Sequence, residues 1–119
     1  MSKKDRTVPL PKRALCGAYP IRIFTSPAPM GDEDDQEDAF GAFMHGFGDG
    51  EIEIKETLLG EGPGEALLHE FCECVIRMNQ LELEHRQLAP LSMGLYQMLR
   101  TSGWLPRIEL PSIPEPDDD

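Results

Sequence analysis

Six of the seven residues from Asp32 to Asp38 are acidic, and this run limits what the chain can fold into more than any other feature. A block of like charges repels itself and resists packing, so it reads as a solvated loop. The ends are similar in kind. The first 13 residues hold Lys3, Lys4, Arg6, Lys12 and Arg13, and the closing PEPDDD holds four acids. Three segments follow: a flexible basic arm at 1–14, a single domain at 15–105 with an acidic loop at 31–38, and a disordered Pro/Asp-rich tail at 106–119. A chain of 119 residues has room for one small core.

The net charge of −11 argues against direct binding to nucleic-acid phosphates, which takes Lys and Arg to displace counterions. It suits a basic protein partner. No stretch approaches the roughly 20 apolar residues of a membrane span. The Lys-rich start is not followed by the apolar run of a secretory signal. Cys16, Cys72 and Cys74 are odd in number, and two of them stand two apart on one helix, facing different ways. They do not read as a disulfide framework, and a reducing cytoplasm is the expected compartment.

Between the polar ends, Tyr19–Phe24 alternates as a short strand. Ala39–Phe47 reads as a weak strand, Gly48–Gly50 as a turn, and Glu51–Lys55 as a strand with Ile52 and Ile54 on one face; the two runs pair as a hairpin. Gly60, Gly62, Pro63 and Gly64 then break the chain before a helix from Glu65 to about Gln80. Its apolar stripe is Leu68, Phe71, Cys72 and Val75. A second helix, His85 to Thr101, has Leu88, Leu91, Leu95, Met98 and Leu99 as its stripe, and Pro90 is expected to kink it or delay its start. Trp104 is expected to pack back on the core. The fold class is α+β: a small antiparallel sheet of two or three strands packed against two main helices.

The chemistry lies on the first helix. LLHEFCECVIR, Leu67–Arg77, opens with His then Glu as a zinc-protease helix does, but Glu73 stands where the second His of H-E-x-x-H belongs. At about 100° per residue, His69 and Glu73 share one flank of the helix and can reach one point. His85 lies in the opening turn of the second helix, on its packing side, and a short link joins antiparallel neighbours. Two imidazoles and a carboxylate, His69, Glu73 and His85, make a ligand set for Zn2+ with a fourth position left for water. Glu70 falls about 200° round from Leu68, outside the stripe. In zinc proteases the Glu at that place handles the proton of the metal-bound water. A plainer alternative stays open: a surface His–Glu pair on an ordinary amphipathic helix. Cys72 reads as a small buried residue ahead of a soft ligand. Glu84 is second choice as third ligand, His45 is a strand or loop His, and Tyr96 is a packing residue with a polar tip.

The wider block also resembles a known family. Leu67-Leu68-His69-Glu70, Glu73, Leu81-x-Leu83-x-His85 and Leu95-Tyr96-Gln97-Met98-Leu99 are similar to the pattern of small phage and prophage proteins with an H-E-x-x-H or H-E-x-x-E zinc-metallopeptidase-like motif. The likeness covers about residues 48–104. It implies a minimal zinc-dependent metallopeptidase in which Glu70 is catalytic and activates zinc-bound water, with His69, Glu73 and His85 as metal ligands. The expected substrate is a protein or peptide. The expected place is the cytoplasm of an infected or lysogenic bacterial host, or the virion. The competing expectation is a non-catalytic phage interaction or structural protein whose acidic loop and tail bind a basic partner. A third, an acidic mimic of nucleic acid, rests on charge alone.

Overall fold

A computed structural model of the chain describes residues 6–27, 41–45 and 50–111. Two short strands, β1 (Thr7–Pro9) and β2 (Arg13–Cys16), lead into β3 (Tyr19–Ser26). Then come β4 (Gly41–His45), β5 (Gly50–Lys55), helices α1 (Gly62–Met78) and α2 (His85–Thr101), and β6 (Arg107–Glu109). The architecture is α+β, with a small sheet packed against two helices. The sheet has four strands in the order β2-β3-β5-β4. The expected hairpin of β4 and β5 is present and antiparallel, as is β2 with β3, but β3 and β5 run parallel. Two or three antiparallel strands were expected. The difference arises because the chain crosses from β3 to the far edge, forms β4, and returns through β5 between them. Parallel neighbours need a long connection, and alternation reveals a strand's buried face but not its neighbour.

The core sits between the sheet and α1. Ile21 and Ile23 of β3 and Ile52 and Ile54 of β5 alternate onto one face and pack on Ala66, Leu67 and Cys74. The register places Ile23 opposite Ile52. Each buried Ile contributes about 1.5–3 kcal/mol relative to exposure. On the opposite face, Arg22 pairs with Glu51 and lies over the Phe24 ring. That pair is exposed and adds little.

The stripes read from the sequence are rotated on both helices. On α1 the buried residues are Pro63, Gly64, Ala66, Leu67, Glu70 and Cys74; Leu68 and Phe71 are half-buried and Val75 is exposed. On α2 they are Leu88, Ser92, Tyr96 and Arg100, while Leu91, Leu95 and Met98 face solvent. Apolar periodicity misleads here because each buried face includes charged or hydroxyl side chains. α2 runs unbroken through Pro90 from His85. Pro90 and Arg86, the residue four before it, are exposed, so water can reach the carbonyl that loses its partner.

Parts of the expected arm and tail take part in the fold. β1 pairs in parallel with β6, Val8 opposite Ile108. The expected arm at 1–14 therefore supplies β1 and the start of β2, and the expected tail from 106 supplies β6. Trp104 is 79% exposed, not packed on the core, whereas the next residue, Leu105, is half-buried. The acidic loop at 31–38 and residues 112–119 lie outside the described residues. Among those described, no helix is long and apolar enough to cross a membrane.

Candidate metal centre

Two helix ends bring the site together. α1 closes with Gln80 at φ 54°; the Leu81 amide donates to the Ile76 carbonyl at 2.9 Å and the Gln80 amide to Arg77 at 3.4 Å. This six-to-one bond with a left-handed residue inside it caps the helix and reverses the chain. α2 opens on a capping box, in which Gln87 Oε1 accepts the Glu84 backbone N–H at 3.1 Å. The Glu84 side chain lies at the cap, where Arg86 Nε donates to it at 2.5 Å, and it is not among the converging donors. Contacts from Glu61 to Tyr96, from His69 to Ser92 and from Glu73 to His85 climb one helix while descending the other. The helices are antiparallel, as the short link led us to expect.

That pairing converges the expected donors. One ligand atom from each of His69, Glu73 and His85 lies within 4.8 Å of the others. The two rings meet edge to face, with centroids 5.2 Å apart. His85 Nδ1 stands 3.7 Å from Glu73 Oε2, and the other Glu73 oxygen accepts from Arg77 Nε at 3.3 Å. Donors on a tetrahedral zinc are about 3.3 Å apart, given Zn–N bonds of about 2.0–2.1 Å. His85, with a side chain 75% exposed, has the freedom to close that gap. His69 is half-buried. Burial pushes its pKa down, His85 adds to the effect and Glu73 opposes it. A neutral imidazole is the form that ligates. The donor set is compatible with a metal site.

Two residues that sequence reasoning passed over complete the surroundings. Ser92 of α2 is 1% exposed. Its Oγ lies 3.3 Å from His69 Nδ1 and donates to the Ala89 carbonyl at 3.2 Å. A signal existed: Ser92 is two turns after His85, on the same helix face. Gly41 of β4 is the other. A Cβ there would come within 3.1 Å of Glu70 Cγ and 3.3 Å of Glu70 Oε2, so the missing side chain makes room for a carboxyl. No sequence pattern marked it.

Glu70 therefore does not stand outside the packed face. It is 6% exposed, lodged between α1 and β4. It is not among the three converging donors. Burial pushes its pKa up to about 8, with the charge of Glu73 adding and Arg77 opposing. Burial of this kind favours the neutral acid, and a positive charge beside it favours the carboxylate. Among the described residues β4 has β5 as its one strand neighbour.

The cysteines are elsewhere. Cys74 is buried, and burial together with a hydrogen bond to Cys16 pushes its thiol up to about 12. Cys16 of β2 thus meets the helix. Burial raises the Cys72 thiol as well. None of the three joins the donor cluster. Tyr96 packs with its hydroxyl on Glu61 at 2.5 Å, a packing residue with a polar tip as expected. No protein-family model, no curated protein and no solved structure matches the chain.

Proposed function

We propose that this chain is a minimal zinc-dependent hydrolase of the metallopeptidase kind, a phage or prophage protein that acts on protein or peptide substrates. The observation that carries the reading is the convergence of His69, Glu73 and His85, from two helices, within 4.8 Å. The likeness of residues 48–104 to phage proteins of this motif supports it. Zinc held there would polarise a carbonyl and make water more acidic. With that positive charge favouring its carboxylate, Glu70, one residue on from His69, would be the group to take the proton of the attacking water and give it to the leaving amine. Glu73 makes the donor set less positive than three imidazoles would, which leaves more of the activation to Glu70.

Elemental analysis of untagged protein tests the metal, and a peptidase assay on an unfolded polypeptide tests the chemistry. About one zinc per chain is expected. His69→Ala and His85→Ala should each weaken zinc binding by more than about 100-fold, beyond what outer-shell changes cause. Glu70→Gln should keep zinc and lose at least about 100-fold in kcat. A protein that takes up no zinc and melts identically with and without chelator overturns the reading. It would leave a non-catalytic interaction protein, with a basic partner for its acidic segments.

A further inference from the structure

We infer that Ser92 is a positioning residue: its hydroxyl accepts the Nδ1–H of His69 and leaves Nε2 as the nitrogen offered to a cation. The consequence for metal binding rests on the function proposed above; the geometry does not.

Ser92 is 1% exposed, so water does not compete for its hydroxyl. The oxygen lies 3.2 Å from the Ala89 carbonyl and 3.3 Å from His69 Nδ1. The structure pairs the hydroxyl as donor with the Ala89 carbonyl, and with its one proton given there the oxygen meets the ring as an acceptor. The ring nitrogen that faces it then carries the imidazole proton. A neutral imidazole has one such proton, so Nε2 is bare. The opposite tautomer would direct an N–H at the cation. Ser92 belongs to α2 and His69 to α1, so the packing of the two helices holds the ring before any metal arrives. Preset ring orientation of this kind raises metal affinity.

Long-range proton–nitrogen correlation spectra of the metal-free protein at about pH 8, where imidazoles are neutral, read the tautomer directly. In water the Nε2–H form of histidine dominates, so the Nδ1–H form at His69 reports an imposed partner. It is expected in the wild type. Ser92→Ala, which removes one oxygen and favours the helix, should return His69 toward Nε2–H and weaken Zn2+ binding tenfold to hundredfold, measured by competition with a chromophoric chelator. An Nε2–H ring in the wild type, or the same tautomer in both proteins, overturns the inference. An Nδ1–H ring that is lost in Ser92→Ala, in a protein that takes up no zinc, upholds the positioning and overturns the metal reading instead.

Discussion

Glu61 shows how much one side chain can organise. It accepts from Tyr96 at 2.5 Å, from Arg100 at 2.9 and 3.0 Å, and from Arg107 at 3.1 Å. It joins the start of α1 to the end of α2 and to β6. The Arg100 bond chiefly, with help from Tyr96, pulls its pKa down from 4.5 to about 2. A carboxylate whose folded pKa is depressed contributes stability that is whole above its unfolded pKa and is lost as pH falls through the folded one. The window is therefore about 4.5 down to 2. The side chain is 39% exposed, so solvent screening discounts the contribution to about 1–2 kcal/mol. Glu61→Gln should be less stable than the wild type by that amount near neutral pH, and the difference should vanish toward pH 2. Denaturant titrations at several pH values measure it, and a difference constant with pH would refute it. In the sequence Glu61 stands in the Gly/Pro-rich break before the first helix, and nothing else marks it. Its partners are 35 to 46 residues away, and no local pattern encodes such a distance.

The helices show which parts of an element are written locally. The limits of α2 were legible because Gln87 completes a capping box at one end and Gly103, at φ 88°, ends the other. The buried faces were not legible, because α1 is covered by the sheet on one side and by α2 on another. At Gly64 this crowding is sharpest: an added Cβ would sit 2.4 Å from the Tyr96 hydroxyl and 2.5 Å from its ring. Gly64→Ala gains about 1 kcal/mol of helix propensity. Overpacking against an anchored ring should outweigh that, with a net loss of about 1–2 kcal/mol. Chemical denaturation of Gly64→Ala, Tyr96→Leu and the double variant tests this. The double variant should be more stable than the sum of the singles implies, by at least about 0.5 kcal/mol. Additivity would show that the two residues do not press on each other.

The described part of the molecule is closed by its first and last strands. β1 and β6 pair in parallel, with the Arg107 amide donating to the Arg6 carbonyl at 2.8 Å and the Leu10 amide to Glu109 at 3.0 Å. Backbone hydrogen bonds contribute about 0.5–1.5 kcal/mol each. Removing residues 1–9 should therefore lower stability by about 1–3 kcal/mol and lower the melting temperature. A truncated chain that melts with the full one would restore the reading of this segment as an arm.

Local chemistry alone determined that this chain would be α+β, that two helices would follow a Gly-Pro-Gly break and a short link, and that His69 and Glu73 would share a flank. Each of these depends on residues within a few positions of one another, where periodicity, capping and turn preference act. Packing decided the rest: β5 between β3 and β4, Glu70 buried against Gly41, Ser92 beneath His69, and His85 beside Glu73. Those contacts join segments separated by 12 to 29 residues. The preference of each segment says which side of it is apolar, but it does not say which distant surface will cover that side.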